Sequence, residues 1–154
     1  MAKEIERKFL VRDNRYRQSA KPILYRQGYL STAKDRVVRV RIKAGRAFLA
    51  VKGITNGVTR TEYEYEIPLS EAEHMVAELC EQPVIEKSRY KIEHNGLMWD
   101  VDEFHGPNEG LVIAEVHLRD ENQQITLPEW IGLEVSGDAR YFNSSLVHNP
   151  YCNW

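Results

Sequence analysis

Val38-Arg39-Val40-Arg41-Ile42-Lys43 alternates apolar and basic residues without a break, and this stretch decides the fold. A period of two is the period of a strand, whose successive side chains point to opposite faces, so one face here is all cation and the other all hydrocarbon. Ala44-Gly45 follows at once, and Thr55-Asn56-Gly57 closes the next segment. Both supply the left-handed backbone of tight hairpins, so the neighbouring strands run antiparallel. Outward from this core, alternation or enrichment in β-branched and aromatic residues marks strands near 3–11, 22–31, 36–43, 46–52, 59–68, 84–92, 97–104 and 110–118. Ser70-Glu71-Ala72-Glu73 has the form of a capping box and predicts a helix through about Cys80 with Met75, Val76 and Leu79 facing inward. A second helix is expected over 138–147, where Pro150 bars continuation.

Seven of these strands carry charge on one face. Glu4, Glu6 and Lys8 oppose Ile5, Arg7 and Phe9; Lys52 opposes Leu49 and Val51; Arg60, Glu62, Glu64 and Glu66 oppose Tyr63, Tyr65 and Ile67. Lys87, Arg89 and Lys91 follow, then Asp100 and Asp102, then Glu115 and His117 opposite Ala114, Val116 and Leu118. An ordinary sandwich would turn such rows toward bulk water. The other faces, Val38/Val40/Ile42 and Tyr63/Tyr65/Ile67, are apolar enough to need helical cover, so the charged faces are expected to converge on a lumen. The expected fold is α+β: a closed eight-stranded antiparallel β-barrel with a charged interior and a few helices packed outside. A barrel of about eight strands has room for one small ligand.

Composition fits this picture. The 154 residues suit one domain spanning 1–154, able to bury roughly two-thirds of the surface its unfolded chain exposes. A net charge of -2, from 21 basic and 23 acidic residues, gives no global reason to bind nucleic acid or an anionic membrane. Any polyanion site is therefore local. Cys80 and Cys152 have no ligand spacing and read as incidental thiols. The first residues are charged where a secretory signal needs an apolar core, and no apolar run approaches the roughly 20 residues of a membrane span, so cytoplasmic residence is expected. A homodimer is left open.

Buried charge is costly unless paired or occupied by a ligand. The lumen would hold six basic groups, Lys8, Arg39, Arg41, Lys52, Lys87 and Arg89, and seven carboxylates, Glu4, Glu6, Glu62, Glu64, Asp100, Asp102 and Glu115. Guanidinium forks and ammonium groups suit phosphate oxygens, and clustered carboxylates suit a hard divalent cation such as Mg²⁺ or Mn²⁺. A small-molecule triphosphate with its metal satisfies both sets.

Glu4-Ile5-Glu6-Arg7-Lys8 is an E-x-E-x-K signature, and Arg39-Val40-Arg41, Lys52, Glu62-Tyr63-Glu64, Glu86-Lys87-Ser88-Arg89-Tyr90, Asp102 and Glu115 follow it. In that order and spacing the chain resembles the CYTH, or triphosphate tunnel metalloenzyme, superfamily over nearly its whole length. The tail, Trp130-Ile131-Gly132-Leu133-Glu134-Val135 and Arg140-Tyr141-Phe142-Asn143, resembles the short bacterial members. The resemblance implies that Glu4, Glu6 and Glu115 hold the metal and that Lys8, Arg39, Arg41, Lys52, Lys87 and Arg89 grip the triphosphate. It leaves Glu62, Glu64 and Asp102 either to assist metal and water or to hold neighbouring Arg and Lys side chains. One departure stands out: the eighth strand usually carries Glu-x-Glu, and this chain has Glu115-Val116-His117, which puts an imidazole in the metal set and suits Mg²⁺ less well.

The expected reaction is hydrolysis of a terminal phosphoanhydride, preferably of inorganic triphosphate, because no pocket for a nucleobase is evident in the sequence. Lys8, Lys87 and Glu64 are the residues expected closest to the chemistry, Lys87 through the attacking water or the leaving oxygen. Adenylate cyclase, nucleoside or thiamine triphosphatase, and a non-catalytic polyphosphate-binding protein are the alternatives. His74, His94, His105 and His148 read as surface residues, and Trp99, Trp130 and Trp154 as packing or tail residues.

Overall fold

The computed structural model describes residues 3–154 and consists of nine strands and two short helices. Strands β1 (Lys3–Val11), β2 (Ile23–Ala33), β3 (Arg36–Lys43), β4 (Arg46–Asn56), β5 (Thr59–Ile67), β6 (Glu81–His94), β7 (Leu97–Phe104) and β8 (Val112–His117) close into an antiparallel barrel in the order β5-β4-β3-β2-β6-β7-β8-β1, with β1 returning to β5. The expected eight-stranded barrel is therefore present. The closing seam is short: Lys3↔Thr61, Glu4↔Arg60 and Ile5↔Thr59. Beyond it β1 leaves β5 and pairs instead with a ninth strand, β9 (Ile131–Glu134), through Phe9↔Glu134 and Val11↔Ile131.

Turn chemistry explains the hairpins. Ala44 and Gly45 take φ of 49° and 74°, and Asn95 and Gly96 take 50° and 78°, paired left-handed conformations that match the twist of two-residue hairpins. Three apolar clusters pack the barrel, two against its outer face and one built on the lumen-facing rows of β2, β6, β7 and β8. Phe9, Tyr16, Trp99, Val101, Val116 and Trp130 form one around β1, β7 and β8; Tyr29, Ile85, Phe104, Ile113, Tyr141 and Leu146 form a second where the C-terminal segment docks. The third lies under helix α1 (Leu69–Glu78), which sets Ala72, Val76 and the adjoining Cys80 on Val40, Ile42 and Ala47. Gly28 of β2 is required there, because a Cβ would stand 2.7 Å from the Cys80 sulfur. Cys80 is thus a packing residue.

Several expectations change. Helix α1 begins after Pro68, so Ser70 lies inside the first turn and makes no cap bond. Its buried residues are Ala72 and Val76, one turn apart, which leaves Leu79 68% exposed rather than inward. The helix covers Val40 and Ile42 but leaves Tyr63 and Tyr65 uncovered. The expected helix over 138–147 is broken at Phe142, whose backbone is extended (φ -69°, ψ 132°), into a 3₁₀ turn at Ala139–Tyr141 and the single-turn α2 (Asn143–Leu146). Strand β9 is an addition to the expected eight, and its four residues carry too little pattern to mark it in the sequence. Strands β4 and β6 run longer than expected, to Asn56 and back to Glu81. Among the described residues no helix is long and apolar enough to cross a membrane.

Candidate active site in the barrel lumen

Strand alternation places the functional side chains. Glu4, Glu6 and Lys8 from β1, Arg39 and Arg41 from β3, Lys52 from β4, Glu62 and Glu64 from β5, Lys87 and Arg89 from β6, Asp100 from β7, and Glu115 and His117 from β8 all line one cavity of about 490 Å³. The charged faces converge, as the sequence requires.

On the β6–β8 side, charge is tightly paired. The Asp102 carboxylate accepts from Arg89 Nε and Nη2 at 2.7 and 2.8 Å and stands 2.7 Å from Lys87 Nζ. Asp102 is 1% exposed and does not line the cavity; it lies behind the two cations. Burial would raise its pKa, but Arg89 and Lys87 outweigh burial and hold it at about 2. The structure thus separates Asp102 from the other expected metal residues and gives it the holding position. Burial drives Lys87 down to about 7 in spite of Asp102, with Arg89 and Arg41 adding to the fall. Glu115 accepts from Lys8 Nζ at 2.9 Å; against its burial, Lys8, Arg89 and Lys87 keep it well below the carboxylate range.

The β3–β5 side is looser. Arg39 Nη2 lies 3.1 Å from Glu64 and 3.5 Å from Glu62, and Lys52 Nζ lies 3.5 Å from Glu4 and 3.7 Å from Glu62. Arg39 Nε is buried with no partner. Among the described residues Arg41 has no carboxylate at ion-pair distance; its Nε donates to Gln27 Oε1 at 3.0 Å. Burial, then the charges of Arg39 and Arg89, lower Arg41 to about 10. Arg41, Lys43 and Arg89 also crowd the ring of Tyr25 at 4.8 to 5.3 Å. These are buried donors with capacity to spare, which is what a polyanion requires.

Glu4, Glu6 and His117 bring one donor atom each to within 4.8 Å of one another. His117 Nε2 is 2.8 Å from Asp100 Oδ2, which leaves Nδ1 toward Glu6 at 3.9 Å. A carboxylate behind a ligating imidazole fixes ring orientation and tautomer. The electrostatics mark a deficit of positive charge: burial and then Glu115 raise Glu6 to about 8, and burial with the Glu62 contact raises Glu4. The Asp100 hydrogen bond raises His117 to about 9. Two carboxylate oxygens and one nitrogen around such a deficit fit a divalent cation. Glu115 lies outside this group, engaged with Lys8.

Other lining residues carried no charge signal. Gln27 and Tyr29 line the cavity from β2, with the fully buried Tyr25 in the same row behind Arg41 and Arg89, whereas the one charged side chain of β2, Arg26, points out to Glu73 of α1. Ser136, Phe142 and Asn143 arrive from the C-terminal segment. Of the four histidines expected at the surface, two are not: His94 is half-buried at the end of β6 with Nε2 unpartnered, and His105 is half-buried against Ser88, whereas His74 and His148 are exposed.

A closed eight-stranded barrel with facing rows of cations and carboxylates in its lumen defines a tunnel protein built for a small polyanion. The sequence matches the CYTH domain over residues 2–151, and the chain belongs to that family. It is 56% identical over 154 residues to a protein of Acetivibrio thermocellus named inorganic triphosphatase, covering 100% of this chain and 99% of that one. It is 36% identical to a Nitrosomonas europaea protein of the same name, covering 94% and 96%. Among solved structures, that of an inorganic triphosphatase superposes with a TM-score of 0.65 at 32% identity, covering 93% of this chain and 96% of the other.

Proposed function

We propose that this chain hydrolyses inorganic triphosphate at a terminal phosphoanhydride inside the barrel, with Mg²⁺ or Mn²⁺ as its metal. The observation that carries the proposal is the lumen itself: Arg39, Arg41 and Lys52, buried and incompletely paired, share one cavity with the cation-deficient group of Glu4, Glu6 and His117. The names of the two relatives point to the same substrate. Lys8, Arg39, Arg41, Lys52, Lys87 and Arg89 bind and orient the phosphoryl groups, and Arg89 is held in place by Asp102. Glu4, Glu6 and His117 would hold the metal, which when bound neutralises and polarises phosphoryl oxygens. Glu115 keeps Lys8 directed into the lumen, and Glu64 does the same for Arg39. Lys87 Nζ, with its pKa near 7, is suited to give a proton to the leaving oxygen at neutral pH. No covalent nucleophile is required; positioning and electrostatics suffice for this class of reaction.

The test is phosphate release from inorganic triphosphate, ATP and thiamine triphosphate, each with Mg²⁺, Mn²⁺ or chelator, beside Glu4→Gln. Metal-dependent turnover of inorganic triphosphate that the variant loses is the expected result. Cyclic AMP from ATP in the same assay would instead assign the site to a cyclase, and the absence of both products would reject catalysis.

A further inference from the structure

The lumen contains one amide from outside the barrel wall. Asn143, the first residue of α2, is anchored by burial of Leu146, Ser144 and Tyr141 and by an Asp138 cap on the preceding turn, which accepts from Arg140 N at 3.0 Å. Its Oδ1 lies 2.7 Å from Lys87 Nζ and 3.1 Å from Gln27 Nε2. The orientation of this amide is forced. Arg41 can only donate, so the Gln27 atom facing its Nε is the oxygen and the atom turned to Asn143 is the nitrogen. Asn143 must meet that nitrogen and the Lys87 ammonium with its own oxygen. Its Nδ2 therefore faces the other way, and among the described residues no protein group accepts from it, although Asn143 lines the cavity.

We propose that Asn143 is a substrate-binding residue whose Nδ2 donates to a phosphoryl oxygen of the bound triphosphate beside Lys87 and Arg41. The inference rests on the lumen being the triphosphate site. Asn143 adds two N–H donors without adding a seventh charge to the six cations, and it gives the C-terminal segment a direct part in binding.

Asn143→Asp, nearly isosteric, separates this role from mere support of Lys87. The aspartate keeps the oxygen that Lys87 and Gln27 need, loses the N–H donors and sets a negative charge against phosphate. If Nδ2 donates to substrate, the aspartate variant binds inorganic triphosphate, titrated calorimetrically in EDTA, about 10- to 100-fold more weakly than wild type and more weakly than Asn143→Ala. KM rises in parallel. If Asn143 only supports Lys87, the aspartate variant matches or exceeds wild type and the inference is overturned. Asn143→Ala in a Lys87→Ala background gives an independent reading should the aspartate variant fail to fold: a further loss of affinity supports donation to phosphate, and no further loss overturns it. Failure of the wild-type protein itself to bind or turn over triphosphate would reject the reading of the lumen, a result distinct from either variant outcome.

Discussion

The two halves of the lumen use the same residue types to different ends. On the β6–β8 side the buried charges have close partners, Asp102 with Lys87 and Arg89 at 2.7 Å and Glu115 with Lys8 at 2.9 Å, and only the half-exposed Lys91 stands off, 3.8 Å from Asp100. On the β3–β5 side the contacts run from 3.1 Å for Arg39 with Glu64 to 3.5 and 3.7 Å for the others, Arg41 relies on a neutral glutamine, and Arg39 Nε has no partner. A closed pair satisfies its own field and shapes the wall, whereas an open donor keeps its field for a ligand. The difference teaches that a charged lumen needs both: a paired frame to tolerate burial and an unpaired set to bind.

The harshest way to break the comparison is Asp102→Asn. It preserves shape but takes the close carboxylate from two buried cations, leaving Arg89 only Asp100 at 3.4 Å, and the expected cost is about 3–5 kcal/mol of stability, read from urea or guanidinium midpoints. Arg39→Ala and Lys52→Ala on the open side should behave in the opposite sense. Each is expected to weaken triphosphate binding about 10- to 100-fold with little loss of stability, since burial and the nearby Arg39 already disfavour the Lys52 charge. If either unfolds the protein as Asp102→Asn does, the division between frame and binding set is wrong.

A smaller effect sharpens the comparison at the acidic group. Glu6 has its pKa raised from the ordinary 4.5 to about 8, so the folded state binds more protons than the unfolded state between those values. The associated stability is full below about 4.5 and is lost as pH rises through 8. Metal-free protein should therefore lose melting temperature relative to Glu6→Gln, by about 3 °C or more, between pH 5 and pH 8. Saturating Mn²⁺ should restore it. An equal pH profile for the two proteins would show that Glu6 ionises without cost. The least effect is expected outside the barrel: Tyr65→Ser, at a side chain 60% exposed, should change stability by no more than about 0.5 kcal/mol.

Strand alternation made the barrel and its charged faces legible in the sequence, because Arg39/Arg41 and Glu62/Glu64 can point together only from a strand. Partnership was not legible. Asp102 and Asp100 share a face and a residue type, yet one lies behind Lys87 and Arg89 while the other braces His117, and only three-dimensional register distinguishes them. The inward row of β2 was hidden because tyrosine and glutamine read as ordinary strand residues and Arg26 draws attention to the wrong face. Asn143 was hidden for another reason: its position depends on an extended residue, Phe142, that interrupts the helix and that no periodicity announces.

The seam between β1 and β5 has a consequence for the order in which the molecule assembles. Glu4 sits in that three-residue closure and Glu6 just beyond it, where Glu6 N donates to Val58 O. On its other edge β1 pairs with β8, more than a hundred residues away, through Phe9↔Ala114 and Lys8↔Glu115. Strand β1 must therefore wait for the synthesis of β8, more than a hundred residues later, before both its edges are occupied, and contacts of that span form slowly. The acidic group cannot gather its three donors until then, so a nascent chain gains the means to capture a cation only once its barrel is closed.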